Sequence, residues 1–347
     1  MTEENQNPES NEERVVEPAE QSDELILDVT LRPRELQDFV GQEQIKQNLG
    51  ISIAAAQKRS EPLEHVLLYG NPGLGKTTLA HIIAREMQAG IKVTSGPALE
   101  KIGDLAAILS NLQEGEVLFI DEIHRLNKTI EEILYPALED YSLDIILGKG
   151  PAARTIRMPL NRFTLIGATT KLSLLSGPLR DRFGHTYHLN FYETPDIEKI
   201  IHRNAQILQS PLEPDAAAAI ASRARRTPRI ANRLLKRIRD VADIKGTGAI
   251  TKNIASEAFG MLGVDEFGLD EIDRRLLTTL IEKFQGGPVG LNTLAAAIGE
   301  EMDTIETVYE PFLLQMGFLE RTARGRKATP AAYRHLGFPA PQAQTLL

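Results

Sequence analysis

Short apolar runs alternate with amphipathic stretches from about Leu25 to Tyr192. His65-Val66-Leu67-Leu68-Tyr69 is a compact apolar run ending at a glycine, the pattern of a strand buried on both faces of a parallel sheet. Lys76–Met87 follows with helical spacing, and Val117–Ile120 and Phe163–Ile166 repeat the buried-strand pattern. A strand–helix rhythm of this kind predicts an α/β domain, a parallel sheet flanked by helices, over 25–192. From Thr194 to Leu262 the strand signals stop. Thr194-Pro195-Asp196 offers an N-cap with proline in the first turn, and Pro214-Asp215 and Thr227-Pro228 punctuate later helices, so 193–263 reads as a small helical domain. A third region, 266–347, carries helical stretches at Glu271–Phe284, Leu291–Ile298 and Thr304–Met316. A basic hairpin from Phe318 to Thr329, turning at Arg324-Gly325, closes it, which is the pattern of a winged helix. No internal repeat is present.

Charge changes this picture at one end only. The chain of 347 residues has a net charge of −9, yet residues 1–24 hold nine acidic side chains and one basic one, leaving about −1 for the rest. That opening stretch has almost nothing apolar and is expected to be a disordered acidic tail, so the net charge does not argue against a basic surface elsewhere. Cysteine is absent, which excludes a disulfide framework and any cysteine metal site. Met1 leads into polar residues rather than a basic patch and an apolar run, and no run approaches the length of a membrane span. A soluble cytoplasmic protein without a membrane role is expected.

The candidate chemistry begins at Gly70-Asn71-Pro72-Gly73-Leu74-Gly75-Lys76-Thr77, which fits G-x-x-x-x-G-K-[ST] between a strand and a helix. The glycines let backbone N–H groups surround phosphate oxygens, and the helix N-terminus adds its positive dipole end. Lys76 can reach the β- and γ-phosphates of ATP, and the Thr77 hydroxyl can ligate Mg²⁺. Asp121-Glu122 closes the strand Val117–Ile120, placing acids at the carboxyl end where open α/β sheets bind ligands. Asp121 suits Mg²⁺ held through water, and Glu122 suits the polarisation of an attacking water. Gly167-Ala168-Thr169-Thr170 ends the next strand, with Thr170 preferred over Thr169 as a group between water and γ-phosphate. In Arg180-Asp181-Arg182-Phe183, after a Gly177-Pro178 turn, an exposed arginine could enter a neighbouring subunit's site. Arg229, at a helix start, could reach the γ-phosphate of its own. A surface ion pair is the plain alternative for either arginine.

This ordered set of motifs resembles the AAA+ ATPases. Longer stretches, among them Leu99–Lys101, Asp104–Ala107, Val117–Leu126, Leu134–Tyr141, Gly150–Arg154, Thr227–Leu235, Gly286–Leu291 and Arg324–Arg326, are similar to the RuvB family of branch-migration motors. The resemblance runs from about Leu31 to Leu336. It implies a DNA-translocating ATPase that forms homo-hexameric rings, works with RuvA at four-way junctions and their duplex arms, and joins RuvC in a resolvasome. It further implies ATP and Mg²⁺ as cofactors, with Gly73, Gly75, Lys76, Thr77 and Thr78 at the phosphates and Thr77 and Asp121 at the metal. Leu31, Arg32 and Tyr192 would line base and ribose, and Glu139, Asp140 and Tyr141 would belong to the nucleotide site. Arg182 matches the arginine finger, Thr170 the first sensor and Arg229 the second. The segment from Asp140 to Met158 matches the part that docks on RuvA, its Leu143, Ile145, Ile146 and Leu147 suiting a partner surface. Arg321, Arg324 and Arg326 would touch DNA phosphates, with Lys327 nearby. Where relatives often have arginine after Gly299-Glu300-Glu301, this chain has Met302.

Rival readings remain in the same motifs. A clamp-loader-like AAA+ ATPase shares the nucleotide machinery but does not normally end in a basic winged helix. A protein remodeller needs an aromatic pore tripeptide, which is absent. A non-enzymatic DNA adaptor has no use for the Glu122 carboxylate.

Overall fold

The computed structural model describes residues 30–147 and 154–340, with only the backbone for 145–147 and 154–155. The acidic tail expected at 1–24 lies outside the described residues. The chain divides into an amino-terminal unit, Met1–Arg32, and a body, Pro33–Leu347.

Helix α1 (Glu43–Arg59) leads into β1 (Val66–Tyr69), α2 (Lys76–Glu86), β2 (Ile91–Ser95), α3 (Ile102–Ser110), β3 (Val117–Asp121) and α4 (Lys128–Glu139). A two-stranded hairpin, β4 (Ser142–Leu147) and β5 (Arg154–Pro159), precedes β6 (Thr164–Thr169), the short α5 (Gly177–Arg180) and β7 (His185–His188). The five-stranded sheet is parallel throughout, in the order β2-β3-β6-β1-β7. Its inner strands are buried on both faces, as their unbroken apolar runs predict. Leu67, Leu118, Ile120 and Leu165 pack with α3 and α4, whereas Val66, Leu68, Phe119 and Ile166 pack with α1 and α2. Each such side chain contributes about 1.5–3 kcal/mol by leaving water.

Four helices follow: α6 (Thr194–Ile207), α7 (Pro214–Arg223), α8 (Pro228–Lys245) and α9 (Lys252–Leu262). Glu193, not Thr194, caps α6, and it does so without a side-chain bond, because proline already removes one orphan N–H from the first turn. Their apolar faces continue the core that covers β1 and α2.

The last region has its own core, centred on Leu276, Leu277, Leu280, Leu294 and Leu313. It comprises α10 (Glu271–Glu282), α11 (Leu291–Ile298), a helical turn at Met302–Thr304, a π-helical stretch at Ile305–Tyr309, α12 (Glu310–Gln315), β8 (Leu319–Thr322), β9 (Gly325–Ala328) and α13 (Pro330–His335). The hairpin turns on Ala323-Arg324, one residue before the expected dipeptide, because Thr322 pairs with Gly325. Arg225 joins this region to the helices before it. Its guanidinium donates to the carbonyl of Gly268 (2.9 Å), to Asp270 (2.8 Å) and to the fully buried Asp273. No helix among the described residues is long and apolar enough to cross a membrane.

Candidate functional site

The loop Gly70–Gly75 carries the chain from β1 into α2. Gly75 caps α2 with no side-chain bond, at a φ of 99°, so the first N–H groups of the helix stay open toward the crevice. Gly73 has a φ of 80°, and a Cβ there would come within 3.0 Å of Arg229 Cβ, so the turn and the close approach both require glycine. The start of α8 therefore stands against the phosphate loop, and the Arg229 N–H reaches the Gly73 carbonyl at 3.4 Å. The Arg229 side chain is exposed beside it, lining a cavity of about 260 Å³ with Asn71, Gly73, Thr227 and Arg233.

Lys76 is buried, and its Nζ donates to the carbonyls of Gly70 (2.7 Å) and Asn71 (3.0 Å). Burial holds its amine down to about 8, against the pull of Glu122 and Asp121 and with help from Arg229. A buried cation held only by neutral carbonyls is a ready partner for phosphate. The Thr77 hydroxyl lies 3.4 Å from Asp121 Oδ2. Two hard oxygen donors fit Mg²⁺, which keeps waters and nucleotide oxygens for its other positions. Among the described residues no cluster of three or more His, Cys, Asp or Glu could cage a metal without the nucleotide.

Glu122 stands in the left-handed region at a φ of 47°, a strained position for a residue with a Cβ. Its Oε2 accepts from the Thr170 hydroxyl (3.1 Å) and lies 3.2 Å from His124 Nδ1. Thr169 faces the other way: it is fully buried, and its hydroxyl meets His124 Nδ1 at 2.9 Å and accepts the Lys171 N–H. Of the two threonines left open by the sequence, Thr170 is therefore the one on Glu122. Tyr192 is buried against the same loop, its phenol donating to the Leu74 carbonyl at 3.2 Å, and burial pushes that phenol up. Thr78 follows Thr77 in the first turn of α2. Leu31 and Arg32 belong to the amino-terminal unit and are not placed relative to this crevice.

Arg182 lies elsewhere. β7 runs parallel to β1 with His185 opposite Val66, so the residues just before β7 sit at the amino end of the strands, whereas the phosphate loop follows their carboxyl end. The two ends are about 10 Å apart along β1 alone. At that far end the Arg182 guanidinium donates to Glu139 (3.0 Å) and to the Pro178 carbonyl (2.7 Å), and it lies 4.4 Å from the Tyr135 ring centroid. Glu139, Asp140 and Tyr141 share this end: Asp140 approaches Arg157, and Tyr141 packs on His65 and Phe163. α4 carries these three, expected in a nucleotide site, to the amino edge of the sheet beside Arg182 rather than to the chain's own phosphate loop.

Two further expectations change. Leu143 is buried in the core beneath the hairpin and offers nothing to a partner, because its alternate position in β4 turns it inward. On the facing strand Ile156 is 50% exposed, and the side chains of Ile145, Ile146 and Leu147 lie outside the described residues. In the C-terminal hairpin, Arg321 and Arg326 both turn onto Glu310, a fully buried carboxylate that sequence reading missed. Burial alone would raise Glu310, but hydrogen bonds from Arg321 and Arg326 outweigh it and hold the carboxyl below its usual range. Arg326 is thereby nearly enclosed, Arg321 is half-exposed, and the exposed Arg324 side chain at the tip has no partner among the described residues.

Three family models match the chain in succession: the Holliday junction DNA helicase RuvB P-loop domain over residues 31–189, the RuvB AAA lid domain over 192–265 and the RuvB C-terminal winged helix domain over 266–337. The Holliday junction branch migration complex subunit RuvB of Thermomicrobium roseum is 60% identical over 332 residues, covering 96% of this chain and 94% of that protein. Its counterpart in Chloroflexus aggregans is 58% identical over 330 residues, covering 95% of this chain and 94% of that protein. The structure of the Thermotoga maritima RuvB Holliday junction branch migration motor superposes with a TM-score of 0.83 at 51% identity, covering 90% of this chain and 100% of that one.

Proposed function

This chain belongs to the RuvB family of Holliday junction DNA helicases, and from that premise we propose how its parts make a branch-migration motor. It is a P-loop ATPase with a lid and a winged-helix region, and its activity is ATP-driven migration of Holliday junctions. The working protein is a homo-hexameric ring on duplex arms, docked on RuvA and joined by RuvC, in the cytoplasm. Its division is a large ATPase domain to residue 192, a lid at 193–263 and a DNA-binding head from 266.

The observation that carries the reading is the split of one site between the two ends of the sheet. Lys76, Thr77 and Asp121 gather at the carboxyl end with Glu122, whereas Arg182 stands at the amino end beside Glu139. A ring in which each chain presents its amino end to the next chain's crevice completes every site. In such a site the backbone N–H groups of Gly73 and Gly75, with Lys76, Thr77 and Thr78, hold the phosphates of ATP. Thr77 and Asp121 would hold Mg²⁺, which when bound would neutralise phosphate charge. Glu122 takes the proton of the attacking water, Thr170 orients Glu122 and the γ-phosphate, and Arg182 of the neighbour stabilises developing charge. Arg229 reads the γ-phosphate from the lid, and Leu31, Arg32 and Tyr192 flank the base and ribose. Glu139, Asp140 and Tyr141 serve the neighbour's nucleotide, since they lie with Arg182. The head grips DNA through Arg324 and the outer edge of Arg321, with Arg326 held just behind them by Glu310, an electrostatic contact indifferent to sequence. The clamp-loader alternative lacks a use for this basic hairpin.

The test is movement of a synthetic four-way junction by the purified protein with RuvA and ATP, beside Glu122→Gln. Movement that the variant abolishes while it still binds ATP is the expected result. Hydrolysis without junction movement would overturn the reading.

A further inference from the structure

The catalytic carboxylate has a second neighbour that the motif does not explain. His124 follows Glu122 on the 3₁₀ turn Ile123–Arg125, and its side chain is only 8% exposed. Its Nδ1 lies 2.9 Å from Thr169 Oγ1 and 3.2 Å from Glu122 Oε2. A carboxylate can only accept, so this approach is favourable only when Nδ1 carries a hydrogen. The Nδ1–H is then donated to Thr169 Oγ1 and stands 3.2 Å from Glu122 Oε2, an electrostatic contact with the carboxylate. The same Oε2 accepts from Thr170, which leaves Oε1 without a partner among the described residues.

We propose that His124 is a positioning residue for hydrolysis: its Nδ1–H, braced by Thr169, fixes the Glu122 carboxylate so that Oε1 faces the attacking water. The brace is rigid. Thr169 is fully buried at the end of β6, and the Lys171 N–H donates to its hydroxyl at 2.9 Å. The Glu122 backbone is equally fixed, because a Cβ on Gly96 would meet the Glu122 carbonyl at 2.4 Å, leaving room for no other residue under the turn. Burial keeps the imidazole below its ordinary range, with Lys171 and Arg125 adding to the effect and Glu122 and Asp303 opposing it. The ring is thus a neutral donor at neutral pH, which orients the carboxylate without forming an ion pair that would lower its basicity.

This inference rests on Glu122 as the base, so Glu122→Gln is measured alongside. The experiment is steady-state ATP hydrolysis by the full chain with DNA, together with binding of a non-hydrolysable ATP analogue. His124→Ala is expected to lower kcat by about 10- to 100-fold, the cost of a carboxylate misplaced by an ångström. KM and analogue binding are expected to stay unchanged. His124→Asn, whose side-chain amide can place an N–H near Nδ1, restores most of the rate. In the Glu122→Gln background His124→Ala causes no further loss. A His124→Ala rate within twofold of wild type, with Glu122→Gln inactive, would overturn the inference and leave the base assignment standing. An asparagine variant no better than alanine, or kcat and KM moving together, would make His124 a packing residue and also overturn it. An active Glu122→Gln would remove the base assignment itself.

Discussion

The phosphate crevice and the C-terminal hairpin are both places where the sequence offers cations for phosphate, and they treat those cations in opposite ways. In the crevice Lys76 is buried and hydrogen-bonded to carbonyl oxygens, with the Glu122 and Asp121 carboxylates near but unpaired with it, and burial holds its amine down to about 8. In the hairpin Arg321 and Arg326 converge on Glu310, a carboxylate with no exposure, so most of their charge is answered inside the fold. Arg182 stands between these cases, paired with a Glu139 that is itself 57% exposed. A cation not paired with an internal anion is available to a ligand, whereas one bonded to a buried anion belongs to the architecture. Arg182 can leave Glu139 without stranding a buried charge, since that carboxylate is exposed, although its own guanidinium, 18% exposed, also gives up the Pro178 carbonyl and the Tyr135 ring. Arg326 cannot leave Glu310 without stranding a buried charge.

The comparison breaks most visibly at Arg182. Arg182→Ala is expected to cost about 10³- to 10⁵-fold in kcat with nucleotide affinity retained, read from hydrolysis and analogue binding on the same preparation. A loss of affinity with kcat intact would place Arg182 in its own crevice. The next effect separates the hairpin arginines. Arg326→Ala is expected to destabilise the protein by about 1–3 kcal/mol through the group left unpaired, and Arg324→Ala to leave thermal unfolding unchanged. Arg324→Ala should instead weaken DNA binding and reduce its salt slope by about 1. Equal effects of the two on both readouts would erase the distinction. The smallest effect is on pH. Free Lys76 loses its proton above about 8, and phosphate favours the charged form. ATP binding therefore takes up a proton above that pH: affinity is flat below about 8 and falls by up to tenfold per pH unit above it. A flat profile through pH 9 would mean that phosphate contact does not depend on this amine.

Much of this was legible in the sequence. The phosphate loop, Asp121-Glu122 and the inner strands are local patterns, readable because glycine, lysine and unbroken apolar runs each have one mechanical use at those spacings. The edge strands β2 and β7 were not predicted. Ile91-Lys92-Val93-Thr94-Ser95 and His185-Thr186-Tyr187-His188 are half-exposed and mixed in polarity, so neither makes an apolar run. Thr169 and Thr170 could not be separated because their facing depends on how the strand end turns. Glu310 was invisible for a different reason: nothing near it in sequence says that two arginines of a hairpin will fold back onto it. The turn offered Arg180 and Arg182 alike and the family resemblance chose Arg182, but its distance from its own crevice required the direction of β7 against β1.

The central claim is that one chain carries two halves of a site that only a second chain completes. Lys76→Ala and Arg182→Ala should each be inactive alone, the first lacking a phosphate ligand and the second its donated charge. The decisive measurement is DNA-stimulated ATP hydrolysis after the two variants are mixed. Hydrolysis well above that of either variant is predicted, because a Lys76→Ala chain still offers its arginine to an intact crevice. A mixture no more active than its components, or an Arg182→Ala protein that hydrolyses ATP at the wild-type rate by itself, would contradict the account.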